Sequence, residues 1–566
     1  MNRAKQFAGN LATDLPILFA GLALFYGLLA LARYWTSPIQ THAEIRLDVG
    51  TLPVYAAYSV ARIAVAYLLS LAVAIAYGYI AARHAAAERL MIPLLDTLQS
   101  IPVLCFLPGV MVSMVALFPT RQLGLEFGSI LLIFTGQVWN MAFSFYSSLK
   151  NIPREMSEAA ELYRLSWWQK FTQVELPSSA IGLVWNSMMS VAGGWFSLMV
   201  CEMFVLGNRD FRLPGLGSYL QTASNEGNTR AILWGLAAMI GVIVLIDQLV
   251  WRPVIAWSEK FKVEQVEAAS TARSPVLDFL RRSRVLAQAS QKTVAPLREK
   301  IALHFAREPH RISRPSPLRT WIGWSIAAGS AGAILYAMAR MVVMLSAISR
   351  PELGGIFIGA GATFLRVELT LVLAGLWTIP VGVYIGLRPK LAEFAQPLAQ
   401  VAASVPATAL FPIVLLLLIR LGGGLGIASI VLLLLGTQWY ILFNVIAGAM
   451  AIPTDLKEVC DVFHFGRAAR WRRLILPGIF PFLVTGFVTA SGGAWNASII
   501  AEYFKFQNQT FTVTGLGAVI SRATDSGNFP VLLGATVVIS AMVVTVNRLL
   551  WRRLYGLAST KFKIES

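Results

Sequence analysis

Twelve apolar runs, each long enough to cross a lipid bilayer, constrain this 566-residue chain more than any other feature of its sequence. The hydrocarbon core takes about 20 helical residues to span. In lipid every backbone N–H and C=O must be bonded within the protein, so runs of this length are helices. They fall at 15–35, 53–82, 92–117, 126–148, 179–206 and 229–251, then at 319–346, 357–387, 395–419, 425–449, 478–503 and 529–551. The fold class predicted is an all-α polytopic membrane protein of about 12 transmembrane helices, arranged as two sets of six. Only 13% of residues are charged, against about 25% in a soluble domain.

Lysine and arginine fix the orientation, because basic loops near span ends resist translocation. Most of the 47 basic residues fall in 1–14, 83–90, 150–172, 252–319, 388–390, 452–473 and 552–566, which makes that side cytoplasmic and both termini with it. The net charge of +18 is then topology and not a nucleic-acid footprint, since no basic stretch is interleaved with stacking aromatics in a soluble domain. An N-terminal signal peptide is disfavoured, because the run after Arg3 and Lys5 is long and lacks a small-x-small cleavage site. Cys105, Cys201 and Cys460 have no paired spacing and predict neither a disulfide framework nor a metal site.

The two sets of six are copies. Arg62 matches Arg366, and "SIPVLCFLP" from Ser100 matches "SVPATALFP" from Ser404, both at an offset of 304. Beyond a short external loop the offset is 300. Trp139 matches Trp439, Ile152-Pro153 matches Ile452-Pro453, Glu202 matches Glu502, and Gly215-Leu216-Gly217 matches Gly515-Leu516-Gly517. An even number of spans per copy gives both the same orientation, related by an axis along the membrane normal. The organisation expected is an N-terminal helix and external loop (1–48), a first repeat (49–258), a basic cytoplasmic linker (259–318), an extra helix (319–355) and a second repeat (356–566). Within the linker, Ser274 and Pro275 read as a helix start, either on the membrane surface or in a solvated linker.

Each copy interrupts its apolar runs with a charged cytoplasmic segment of fixed spacing. The first reads Glu158-Ala159-Ala160, then Val174-Glu175-Leu176-Pro177; the second reads Glu458-Val459-Cys460, then Leu474-Ile475-Leu476-Pro477. Pro153 and Pro453 suit the first turn of a helix, with Glu155 and Asp455 near its positive end. These segments resemble the EAA loop of bacterial ABC importer permeases, whose signature is EAA, three residues, Gly, nine residues, Ile, one residue, Leu-Pro. The usual Gly is Arg164 in one copy and His464 in the other, with Gly466 two positions late, so a differently built turn is expected. The arginine in the second span, the Ser-x-Pro and the Glu followed by Gly-Leu-Gly narrow the resemblance to the nitrate, sulfonate, taurine and bicarbonate group, here in a fused, duplicated form.

What the resemblance implies is a type I ABC importer permease in the bacterial inner membrane. Its EAA loops would dock on two copies of a separate ATPase, which holds ATP and Mg, and an extracytoplasmic substrate-binding protein would deliver a small anion. No G-x-x-x-x-G-K-[ST] pattern occurs, so no cofactor and no catalytic role are expected of this chain itself.

Buried ionisable groups in a membrane are costly and are therefore paired or functional. Arg62 with Glu202, and Arg366 with Glu502, are expected to form one structural ion pair per half; direct contact of the arginines with an anion is the competing reading. Further pathway candidates are Ser100, Gln137, Asn140 and Ser197, with Ser404, Thr408, Gln438, Asn496 and Ser498, each a packing residue if not a ligand. Two other function classes compete. An ion-gradient-driven secondary transporter leaves the repeated loop unexplained, and a membrane-embedded enzyme needs a catalytic cluster that the sequence does not offer.

Overall fold

The computed structural model describes residues 2–38, 44–206, 209–261, 274–306, 317–420, 424–506 and 509–561. A long helix α1 (Asn2–Thr36) precedes the first repeat. The repeat consists of α2 (Leu52–Arg83), α3 (Ala85–Ser100), α4 (Leu107–Leu117), α5 (Leu123–Lys150), two short helices α6 (Arg154–Leu162) and α7 (Trp167–Lys170), α8 (Leu176–Glu202), α9 (Leu216–Asn225), α10 (Thr229–Ile246) and α11 (Arg252–Ser258). The linker holds α12 (Pro275–Arg282), α13 (Arg284–Ala289) and α14 (Ala295–Ala306), and α15 (Pro317–Ser346) leads into the second copy. That copy runs α16 (Arg350–Gly386), α17 (Pro389–Ser404), α18 (Ala407–Arg420), α19 (Leu425–Met450), α20 (Thr454–Val462), α21 (Arg467–Arg470), α22 (Leu476–Ala501), α23 (Leu516–Ser526), α24 (Phe529–Val546) and α25 (Arg552–Lys561). A two-stranded hairpin follows the long fifth-span helix in each copy, β1 (Val205–Leu206) with β2 (Arg209–Asp210) and β3 (Tyr503–Phe506) with β4 (Gln509–Thr512).

Among the described residues eight helices are long and apolar enough to cross a membrane, fewer than the twelve spans expected. Part of the difference is a correction to the third span of each copy. The runs 92–117 and 395–419 are not single helices: each is broken, α3 from α4 and α17 from α18. The breaks fall at Ile101-Pro102 and Val405-Pro406, where Ile101 and Val405 take extended conformations. The proline ring pushes the residue before it out of the helical region and removes a helix N–H. Hydropathy does not see such a break, because both sides of it are apolar.

The broken pieces cross between the copies. Leu104 and Cys105, just past the first break, pack in the core of the second repeat with Phe411, Ala497 and Ala535. Ala409, Leu410 and Ile413 on α18 pack in the core of the first repeat with Trp195, Met199 and Leu220. Each half therefore completes its interior with side chains of the other. The linker is helical where described, with Ser274 capping Leu277 N–H and Pro275 in the first turn. The hydroxyl of Ser283 donates to Asp14 of α1 at 2.6 Å, and α14 packs on α7. The linker, the start of α1 and the α6–α7 elbow thus share one end of the molecule.

Candidate functional site

Three features stand out: a buried ionic cluster in each half, a repeated elbow at one end of the molecule, and a cavity between the halves. In the first cluster Arg62 is 1% exposed and each of its three guanidinium nitrogens donates. Its Nε and Nη2 donate to both oxygens of Glu126 at 2.7 Å, and its Nη1 donates to Glu202 Oε1 at 2.7 Å and to the Pro214 carbonyl at 2.9 Å. Glu202 also accepts from Ser59 Oγ and from Gly217 N–H, both at 2.7 Å, and Ser59 Oγ accepts from Leu216 N–H. Gly215 is required by space: a Cβ there would lie 2.3 Å from the Glu202 carboxyl carbon. The Gly-Leu-Gly after the glutamate is thus a strip of backbone laid against its carboxylate.

The second half repeats the arrangement with one partner fewer. Arg366 pairs with Glu502 and donates to the Thr514 carbonyl at 3.1 Å. Thr363 stands for Ser59, bonding Glu502 at 2.8 Å and accepting from Leu516 N–H, while Gly517 N–H donates to Glu502 at 2.7 Å. The expected pairs exist in both halves. Glu126 was missed, because its matched position is Gly426 and a comparison of repeats favours what occurs twice; the available signal was an acidic residue opening an apolar span.

The elbow begins with α6 or α20, each started by a proline at the N-cap, Pro153 or Pro453, rather than inside the first turn. It turns at Arg164 and His464, whose φ values are 50° and 49°. These left-handed residues occupy the place of the glycine in the resembled signature, so the turn is made there with a side chain in place of glycine. Gly466 has φ −60° and caps α21; it takes no part in the left-handed turn. Glu161 with Lys170 at 3.7 Å, and Asp461 with Arg470 at 2.9 Å, clip the bend. A π-helical turn, Phe171–Glu175 or Trp471–Ile475, then joins the elbow to α8 or α22 at Leu176-Pro177 or Leu476-Pro477. Ala160 and Cys460 are buried, whereas Glu158, Ala159, Glu458 and Val459 face outward. At the tip Leu162 is 82% and Tyr163 76% exposed, matched by Val462 at 73% and Phe463 at 70%.

A left-handed conformation costs a residue with a Cβ about 1–2 kcal/mol, of which glycine's larger unfolded-state entropy returns about 0.5–1 kcal/mol. Arg164→Gly and His464→Gly are therefore expected each to stabilise the protein by up to about 1 kcal/mol. Thermal unfolding in detergent checks this, with Arg164→Val expected to destabilise because a β-branched residue tolerates positive φ least.

Between the halves lies a cavity of about 320 Å³. Its wall includes Trp139, Asn140, Phe196 and Ser197 from the first repeat and Tyr440, Trp495, Asn496 and Trp551 from the second. Asn496 Oδ1 accepts from Val103 N–H at 2.7 Å, tying α22 to the segment just past the first break.

This architecture has a counterpart among known proteins. Residues 69–250 and 378–556 each match the family described as binding-protein-dependent transport system inner membrane component. The chain belongs to this family. Its fold is that of a type I ABC importer permease, present twice in one chain. Similar proteins include the nitrate import permease protein NrtB of Leptolyngbya laminosa, 26% identical over 195 residues, or 34% of this chain and 66% of that protein. The bicarbonate transport system permease protein CmpB of Synechococcus elongatus is 29% identical over 148 residues, 26% of this chain and 52% of that one. The taurine transport system permease protein TauC of Escherichia coli is 26% identical over 197 residues, 34% and 68% respectively. Each match spans about half to two thirds of the relative's length.

In this permease the pathway candidates separate by environment. Asn140, Ser197 and Asn496 line the cavity. Gln137 and Gln438 are buried outside the lining, Gln137 against Gly194, and Ser498 is spent on the Trp495 carbonyl. Thr408 is buried beside the second break. The side chains of Ser100 and Ser404 lie outside the described residues; their backbones end α3 and α17. Arg62, Glu202, Arg366 and Glu502 are not part of the cavity wall.

Proposed function

We propose that this chain supplies both permease halves of an ATP-driven importer in one polypeptide, with a separate ATPase docking once on each elbow. The observation that carries this reading is the pair of exposed apolar tips, Leu162-Tyr163 and Val462-Phe463, each held out by a left-handed turn. Lone exposed apolar residues are ordinary, but the same two-residue knob at matched places in two copies is the shape of a hot spot waiting for a pocket. The π-helical turn runs each elbow directly into a long span, so a push on the tip is delivered to α8 or α22.

The cargo is a small anion handed over by an extracytoplasmic binding protein, in a bacterial inner membrane with both termini cytoplasmic. Nitrate and bicarbonate in the names of similar permeases support the class, taurine shares with them an anionic oxygen group, and the placement of basic residues supports the orientation. The test is co-expression with an ATPase of this transporter class, followed by affinity purification and ATP-dependent uptake. The wild-type chain is expected to retain the ATPase, and Glu158→Lys and Glu458→Lys each to weaken it while leaving the chain inserted. Normal ATP-dependent uptake by both variants refutes the docking role of the elbows, and uptake with no ATPase present makes the chain a gradient-driven carrier instead.

A further inference from the structure

The cavity wall has a pattern that the duplication alone does not produce. At one pair of matched positions the first half carries Asn140 and the second Tyr440; at another the first half carries Phe196 and the second Asn496. Amide and aromatic have exchanged places across the pseudo-twofold axis, so each half supplies one of each, from non-equivalent helices. The amides come from α5 and α22, the rings from α8 and α19. Had both halves kept the same residue at each position, the cavity would present two equivalent faces. As built, it distinguishes its two sides.

The second property is charge. Among the described lining residues there is no Lys, Arg, His, Asp or Glu. The two arginines matched between the halves are outside the wall, Arg62 held by two carboxylates and Arg366 by one. A guanidinium about 4 Å from an anion at an effective dielectric of about 20 would tighten the complex on the order of a thousandfold. A site on a conduit must release its solute as well as admit it. Neutral amides meet both needs: each carries two N–H donors, and a hydrogen bond to an anion is stronger than one to a neutral group. Asn140 is exposed on the wall and its amide carries no described hydrogen bond, whereas Asn496 spends Oδ1 on Val103 N–H and its Nδ2 on the Gly492 carbonyl at 3.2 Å.

We propose that this cavity is a single solute site that binds a small oxoanion in one orientation through neutral amide donors, with Asn140 as its specificity-determining residue. The proposal rests on the reading of the chain as an anion importer. It assigns the carboxylate-bound arginines to structure and charge recognition within the membrane to side chains that carry no charge.

The experiment is initial uptake of nitrate, bicarbonate and taurine by cells producing the full chain with its ATPase and binding protein, for wild type and for Asn140→Leu, Asn140→Asp and Asn140→Ser, each checked for ATPase co-purification. Losing one hydrogen bond to a charged group costs roughly tenfold to a hundredfold. Asn140→Leu should therefore lower uptake of the transported anion at least tenfold. Asn140→Asp has the same shape with a repelling charge and should reduce it to background. Asn140→Ser keeps one donor and should fall between wild type and leucine. If Asn140→Leu and Asn140→Asp assemble with the ATPase and take up anion at the wild-type rate, the site is not here. If the wild-type complex assembles and hydrolyses ATP but takes up neither nitrate nor bicarbonate nor taurine, whose sulfonate offers the same oxygens on a zwitterion, the oxoanion class is wrong. Failure of the wild-type chain to retain an ATPase, by contrast, overturns the importer reading itself.

Discussion

Arg62→Leu is expected to destabilise the first half by about 3–5 kcal/mol, because removing one member of a buried ionic cluster strands the others without water. The stranded groups are Glu126 and Glu202, both 0% exposed. Neutralising only one of them is not enough. Arg62→Leu with Glu202→Gln still leaves the buried Glu126 carboxyl without its guanidinium partner and beside an apolar side chain, so this double variant remains destabilised. Recovery requires the triple variant in which Glu126→Gln is added. In the second half there is no counterpart of Glu126, and Arg366→Leu with Glu502→Gln should already recover most of the stability lost by Arg366→Leu alone. Thermal unfolding of the detergent-solubilised variants measures both series. A double variant in the first half as stable as the triple, or additive losses throughout, removes the cluster as a coupled unit and with it the structural role of Arg62. Glutamine is used in place of leucine so that the Gly217 and Gly517 N–H groups keep an acceptor.

If the elbows dock an ATPase as proposed, Tyr163→Ala and Phe463→Ala are expected to weaken that association by about 2–4 kcal/mol per site, the range of an aromatic anchor seated in a partner pocket. That is a loss of roughly thirtyfold to a thousandfold in affinity. Because both side chains are largely exposed in the free chain, their removal should leave its thermal stability unchanged, which separates a docking role from a folding one. Titrating the ATPase onto the solubilised chain gives the affinity. Each single variant should retain one strong site, and the double variant should bind neither copy. A double variant within threefold of wild type would falsify the docking assignment of the tips. Charge reversal at Glu158 and Glu458, one helical turn before the tips, is expected to have smaller effects.

Much of the fold was legible because it occurs twice. The interval from Glu158 to Pro177 and from Glu458 to Pro477, the arginine of the second span and the glutamate before Gly-Leu-Gly all stand in register, and the structure turns each coincidence into a bend or a hydrogen-bonded cluster. The same strategy hid what occurs once. Glu126 sits opposite Gly426 and so attracted no attention, although it is the bidentate partner of Arg62. The sorting of pathway residues was hidden for another reason. Asn140 and Gln137 lie three positions apart on one helix of apolar composition, yet one faces the cavity and the other is buried against Gly194. Which face looks inward is decided by the neighbouring helices. The helix breaks were written in Pro102 and Pro406 but masked by the apolar residues around them, since hydropathy reports solvent preference and not backbone geometry.

The exchange of the broken third helices also bears on what kind of object a duplicated chain becomes. Two domains joined by a linker melt separately if their contact is only a surface. Here Leu104 and Cys105 fill the interior of one half while Ala409 fills the interior of the other, so withdrawing either half opens a hole in both. The unit of cooperativity is then the pair, and the linker tethers what the interiors already interlock. Joining the copies in one polypeptide keeps them in equal number and always in the same order. It also frees each from having to work as its own twin, and that freedom is what lets one half carry an amide where the other carries an aromatic ring.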